Sequence, residues 1–295
     1  MLRTKIEKCP VCHSPELHDY LKTEDFSVTN EEYQLQECKI CGLVLTQNHP
    51  VQDEIGKYYE FEEYISHTDT QEGLMNRLYH LARNFMLVKK RRIIEKKVKG
   101  GNLLDIGCGT GYFLNHMHEN FWVVTGIEQD KDARKFGEEK FGLEVYGTEK
   151  LAELQDDTYD VITMWHVLEH VHNLDDYLNN IKRLLKDDGL LVLALPNKDS
   201  YDAMHYKEYW AAFDVPRHLW HFNIKSLSTL IERFGFNVEK IKAMPLDGAY
   251  ISMLSEKHKG GGIMKGIFRG KMAWIKAKFK KKSASSLIYL IRKAG

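Results

Sequence analysis

Short apolar runs alternate with longer amphipathic stretches through the middle of the chain. The runs fall at 102–106, 121–127, near 143–146, 159–165, 190–195 and 236–243. Runs of this length, bounded by glycine and polar residues, read as buried strands. Helical spacing marks residues 174–186, stopped at Asp187-Asp188-Gly189, and 225–234, stopped at Gly235. Ahead of the first run, Leu74, Leu78, Leu81, Phe85, Val88 and Ile93 recur at helical intervals. They predict a long helix from Leu74 to Lys97, closed by Gly100-Gly101. Strands alternating with helices in this order predict an α/β, Rossmann-like fold: a mostly parallel sheet with helices on both faces.

The first run ends in Asp105-Ile106-Gly107-Cys108-Gly109-Thr110-Gly111-Tyr112. It reads as a strand, a glycine-rich turn and the start of a helix. Glycines let the backbone approach a ligand, and a helix N-terminus presents free N–H groups to it. At the end of the second run stands Glu128, an acid placed to accept hydrogen bonds from ribose hydroxyls. Gln129 follows it. A dinucleotide fingerprint would need its third glycine where Tyr112 stands, so a pyrophosphate ligand is disfavoured.

Asp105, Gly107, Gly109 and Gly111 together resemble the first motif of the class I S-adenosylmethionine-dependent methyltransferases. The resemblance implies S-adenosylmethionine as cofactor and a seven-stranded sheet whose last strand inserts antiparallel beside the sixth. The apolar run within Ser286 to Arg292 is the candidate for that strand. Trp165-His166-Val167-Leu168-Glu169-His170 resembles the segment after the fourth strand in small-molecule methyltransferases, including the ubiquinone-pathway O-methyltransferases. On that resemblance Trp165 and His166 flank the methionine part of the cofactor. Glu169-His170 either takes part in catalysis or caps and packs the next turn, and the second is the leading reading because an acid–His pair is common. Tyr209 to Phe222, with Asp214-Val215-Pro216-Arg217-His218, resembles a loop of methyltransferases from bacterial polysaccharide and secondary-metabolite pathways. Its aromatic and cationic residues suit a small-molecule pocket. A hydroxyl or enolisable acceptor needs a base, for which His166, His218 and His221 are the candidates.

Two knuckles, Cys9-Pro-Val-Cys12 and Cys38-Lys-Ile-Cys41, precede this domain. Their spacing is that of a zinc site, and four thiolates make it closed and structural. Cys108, inside the glycine turn, reads as a small filler. The predicted organisation is a zinc-ribbon-like module at 1–50, a linker and helix at 51–100, and the methyltransferase domain at 101–295. The aromatic and acidic stretch Tyr58 to Tyr64 either lines the site or is a packed linker.

The net charge is zero, from 42 basic and 42 acidic residues, but it is unevenly spread. Residues 1–72 hold 6 Lys/Arg against 15 Asp/Glu, whereas 257–295 hold 12 Lys/Arg and no acid. An acidic ribbon disfavours a phosphate backbone, and the N-P-P-Y-type sequence of base methylases is absent. The leading reading is therefore a small-molecule acceptor, with a sugar or a lipid-linked glycan precursor as examples. An RNA methyltransferase docking through its ribbon and a non-catalytic scaffold are the alternatives. In the basic insertion at about 257–283, Met264, Ile267, Phe268, Met272, Ile275 and Phe279 form one helical stripe among lysines. Peripheral membrane contact and internal packing both fit it. No apolar run is long enough for a transmembrane helix, and the N-terminus lacks a signal core, so the expected location is cytoplasmic.

Overall fold

The six apolar runs and the Ser286 strand pair edge to edge in one sheet. A computed structural model describes residues 2–59, 74–244, 246–279 and 281–295. Five small strands come first: β1 (Arg3–Thr4), β2 (Leu17–Glu24), β3 (Glu32–Cys38), β4 (Val44–Thr46) and β5 (His49–Pro50). The main sheet uses β6 (Asn102–Ile106), β7 (Val123–Ile127), β8 (Val145–Tyr146), β9 (Tyr159–Trp165), β10 (Leu185–Pro196), β12 (Phe236–Ala243) and β13 (Ser286–Lys293). Their order is β12-β13-β10-β9-β6-β7-β8. Pairings from β10 through β8 are parallel, and β13 runs antiparallel to both β10 and β12. The expected seven-stranded Rossmann-like sheet is therefore present, with its last strand inserted as the resemblance implied.

Several boundaries moved: the first helix closes at Glu95 rather than Lys97, and the fifth strand begins at Leu185 rather than at 190. The second strand starts at Val123, because Phe121 takes a left-handed turn with its ring exposed while Trp122 is buried. The helix expected to reach residue 186 ends at Leu184, where β10 begins. The helices are α1 (Leu74–Glu95), α2 (Tyr112–His118), α3 (Lys131–Phe141), α4 (Leu174–Leu184), α5 (Tyr201–Tyr206), α6 (Ile224–Arg233), α7 (Asp247–His258) and α8 (Ile263–Phe279). On α1 the expected apolar face holds only in part: Ile93 is buried, but Leu81 and Phe85 are 66% and 54% exposed. The C-terminal half of α1 is the part that joins the core under the sheet, through Ile93 and Ile94. The side chains of Leu74 and Leu78 lie outside the described residues, as do Glu60 to Tyr64 of the aromatic stretch.

The ribbon is not a separate bead. Its sheet has the order β11-β4-β3-β2, and β11 is Trp220–His221, contributed from far along the chain. Cys9, Cys38, Cys41, Leu43 and Leu45 share one apolar core with Leu104, Ile162 and Leu193 of the main sheet. Arg233, at the end of α6, donates to the carbonyls of Pro10 and Val11 in the first knuckle, at 2.6 and 2.7 Å. The Sγ atoms of Cys9 and Cys41 are 3.5 Å apart, as are those of Cys12 and Cys38. All four lie within 4.8 Å of one another, and none forms a disulfide. This donor set fits one tetrahedral zinc with no open position.

Candidate active site

The parallel strands deliver their carboxyl ends to one edge of the sheet, where ligands bind in folds of this kind. At the end of β6, Gly107, Gly109 and Gly111 all have positive φ, of 72°, 54° and 80°. A Cβ on Gly107 would strike Val167, and one on Gly111 would strike Leu143, so these two glycines permit packing. A Cβ on Gly109 would meet nothing within 4 Å. That glycine is the open side of the turn, where a ligand can lie against the backbone. Glu128, at the end of β7, accepts from the Gly109 N–H at 2.7 Å and from the Asp130 N–H at 3.0 Å. Gln129 is exposed beside it, its carbonyl held by Arg134 at 2.8 Å.

Asp105 lies opposite Thr163 across β6 and β9, and the Thr163 hydroxyl donates to its carboxylate. Asp105 is buried, and burial pushes its carboxyl up; the Thr163 bond and the nearby Lys90 charge pull the other way. Lys90, on α1, stands 4.2 Å from the centre of the Trp165 ring. Burial lowers its ammonium, while Asp105 and Asp247 favour the charge. Trp165 ends β9 edge-on to Phe113, and its Nε1 is buried without a hydrogen-bond partner. An unsatisfied indole N–H beside an open glycine turn fits a polar cofactor such as S-adenosylmethionine.

His166 follows with φ of +60°, a conformation that costs a non-glycine residue and marks functional turns. Its Nδ1 lies 3.2 Å from Glu169 Oε1, and its Nε2 lies 3.8 Å from Asp247 Oδ2. Burial works against the imidazolium, but Glu169 and Asp247 outweigh it, and the pKa is raised. Asp247, at the start of α7, accepts from the Ser286 hydroxyl. Lys90 and Asp247 escaped the sequence reading because no local motif marks them. They reach this edge from helices on either side of the sheet domain in sequence, one before its first strand and one after its sixth.

The loop from Tyr209 to Phe222 packs tightly. Trp210 donates through Nε1 to buried Asp202 at 2.9 Å. Arg217 meets Asp214 on its own loop, Asp25 of the ribbon at 3.1 Å and the Tyr58 carbonyl at 2.9 Å. Burial pushes Asp214 up, but the Arg217 guanidinium overrides it and holds the carboxyl at about 2. The Thr46 hydroxyl has one proton and donates it to the His218 carbonyl at 2.8 Å. His221 Nε2, 3.0 Å from the Thr46 Oγ1, must therefore donate to that hydroxyl oxygen. That bond makes His221 a buried anchor between β11 and β4, and burial together with His218 lowers its pKa well below the ordinary value. His218 turns Nδ1 to the Ala212 carbonyl at 2.9 Å and stacks edge-on with His170, ring centres 4.5 Å apart. His166, Glu169, His170 and His218 thus form one cluster, and His221 stands apart from it on the ribbon side.

The methyltransferase-domain family matches residues 78–241. The chain is 32% identical over 127 residues to the ubiquinone biosynthesis O-methyltransferase of Pelagibacter ubique, covering 41% of this chain and 53% of that protein. It thus spans about half the length of this curated relative. It is 24% identical over 200 residues to a probable S-adenosylmethionine-dependent methyltransferase of Mycolicibacterium smegmatis, covering 66% of this chain and 73% of that protein. Among solved structures, an S-adenosylmethionine-dependent methyltransferase from Archaeoglobus fulgidus shares the fold. Its TM-score is 0.50 at 22% identity, over 72% of this chain and 94% of that one. With its strand order, its glycine turn and the matched domain, the chain belongs to the class I S-adenosylmethionine-dependent methyltransferases.

Proposed function

We propose that this chain transfers a methyl group from S-adenosylmethionine to an oxygen of a small-molecule acceptor, with a sugar or a lipid-linked glycan precursor as the acceptor class. His166 carries the reading. It sits at the end of β9 next to the glycine turn, with Nδ1 directed at Glu169 and Nε2 buried without a hydrogen-bond partner. The cofactor, when bound, supplies an electrophilic methyl group with its leaving group. The chain supplies alignment, exclusion of water and removal of the acceptor proton. With its proton on Nδ1 facing Glu169, His166 offers the Nε2 lone pair as base. The Asp247 carboxylate, 3.8 Å away, stabilises the imidazolium once the proton has moved. Asp105, Gly107, Gly109, Gly111, Glu128, Gln129 and Trp165 form the cofactor side. His218 faces the acceptor side, and His221 keeps the loop on the ribbon. The oxygen assignment draws support from the relatives named O-methyltransferase.

Glu128→Ala tests the cofactor assignment. Loss of charge-assisted bonds to ribose hydroxyls is expected to cost about 1.5–3 kcal/mol, or roughly 10- to 100-fold in affinity by calorimetry. Unchanged affinity removes Glu128 from the ribose. A mass-spectrometric screen of acceptors with labelled donor identifies the product.

A membrane seat is the second part of the proposal. Helix α8 packs on α7 through its smallest residues: a Cβ on Gly266 would lie 2.7 Å from the Met253 Cα, and one on Gly270 would lie 2.5 Å from the Ala249 Cα. Small residues therefore take the inner face, and Met264, Ile267 and Phe268 point outward beside Lys265 and Lys271. The side chains of Trp274 and Phe279 lie outside the described residues. No described helix is long and apolar enough to cross a membrane. An apolar face ringed by lysines suits an anionic lipid surface, at about 1 kcal/mol for each basic residue near it. The protein is expected to sediment with anionic vesicles but not neutral ones, and to be released by salt. Met264→Glu with Phe268→Glu should abolish sedimentation. Equal, negligible binding to both vesicles refutes the seat.

A further inference from the structure

Among the described residues, one more group of metal-ligating side chains comes together beyond the four cysteines. Glu169 and His170 lie on the turn Leu168–His170 after β9, and His218 comes from the loop that the ribbon holds. One ligand atom from each lies within 4.8 Å of the other two. The two imidazoles are oriented alike. His218 Nδ1 is 2.9 Å from the Ala212 carbonyl, and His170 Nδ1 is 3.1 Å from the Arg217 carbonyl, with the Tyr59 hydroxyl 3.0 Å from the same nitrogen. A carbonyl can only accept, so each of these contacts puts the ring proton on Nδ1 and leaves the Nε2 lone pair for a ligand, on His218 with the Asp214 carboxylate 3.9 Å from that nitrogen. Metal-bound histidines are held in this way, their other ring nitrogen donating to a backbone carbonyl or carboxylate.

Glu169 completes the set. Its Oε1 takes the His166 contact, while its Oε2 is buried without a partner, on a side chain 1% exposed. A carboxylate oxygen enclosed without a donor is costly, and a cation removes that cost. Two imidazoles and one carboxylate are ligands for zinc and its first-row neighbours.

We propose that Glu169, His170 and His218 bind a divalent first-row transition-metal ion, distinct from the zinc of the ribbon. Three protein ligands leave a coordination position free, as in catalytic rather than structural sites. An acceptor hydroxyl entering that position would become more acidic, since a bound cation lowers the pKa of a coordinated oxygen. Through Glu169 the ion would be coupled to His166. The metal assignment does not depend on the methyltransferase reading, because binding of the ion is measured without cofactor or acceptor.

The test is cobalt(II) added to the full chain as purified with zinc, followed by desalting, metal analysis and visible absorption. The wild type is expected to hold about two metal ions per chain, one for each site. Cobalt in the new site gives weak ligand-field bands without the intense thiolate charge-transfer absorption of a cysteine site. Glu169→Gln and His218→Asn, on separate segments, should each drop to about one ion per chain, the zinc of the four cysteines. Circular dichroism checks that each variant is folded. A folded wild type that holds only about one ion per chain overturns the proposal whatever the variants do. So does a second ion retained in both variants, or cobalt that shows thiolate charge transfer.

Discussion

His166→Ala is expected to lower kcat on the true acceptor by about 10²- to 10⁴-fold, the usual contribution of a positioned base. The expectation follows from three features that meet in one side chain. Its backbone is left-handed at the end of β9, its Nδ1 is engaged by Glu169, and its Nε2 is buried 3.8 Å from Asp247. The loss should be larger in kcat than in cofactor affinity, because the proton leaves the acceptor only during transfer. Steady-state kinetics with calorimetry on the same variant separates the two. Turnover within about threefold of wild type would transfer the base role to another group, since a positioned base contributes far more than that.

Arg217→Ala should destabilise the folded chain by about 3–5 kcal/mol, the cost of leaving a buried charge without its partner. Arg217 is 1% exposed and Asp25 0%, and the guanidinium joins the ribbon to the loop that carries His218. Removing it leaves the buried Asp25 charge without a counter-charge, held only by the N–H groups of Ser27, Val28 and Thr29 and the Thr29 hydroxyl, and it removes the bonds to Asp214 and to the Tyr58 carbonyl. A urea titration measures the change as a shift in midpoint at constant slope. Asp25→Ala should lose less, because Arg217 keeps Asp214, and a double-mutant cycle should show strong coupling. A midpoint within about 0.5 kcal/mol of wild type, the range of ordinary surface changes, would mean that ribbon and loop are held by β11 and the apolar core alone.

Much of the fold was legible because its signals are local. An apolar run bounded by turn residues must be buried wherever it goes, and six such runs, with the helices between them, named the sheet. The glycine turn was legible for a related reason: its three positive φ angles are cheap only for glycine, so the backbone shape is written in residue type. The two C-x-x-C knuckles carried their own geometry in the spacing of the thiols. The candidate site was legible only where one segment holds it, as in Trp165-His166 and in Glu128.

What stayed hidden depends on contacts between distant parts of the chain. Trp220 and His221 complete the ribbon sheet beside Val44 and Leu45, a pairing that no local pattern announces. Lys90 stands over Trp165, and Asp247 faces His166, because helices before and after the parallel strands close over the same edge. The stripe on α8 was ambiguous in sequence because an amphipathic helix can present either face inward. Gly266, Gly270 and Ala273 decided it, since their lack of bulk lets α7 approach more closely than a methionine face would. The sequence by itself thus determined the sheet, the cofactor turn and the thiol cluster, each set by backbone preference or burial within a short segment. Only the tertiary structure decided which charges meet His166, what holds the Arg217 loop and which face of α8 meets solvent, because those depend on long-range packing that brings remote side chains together.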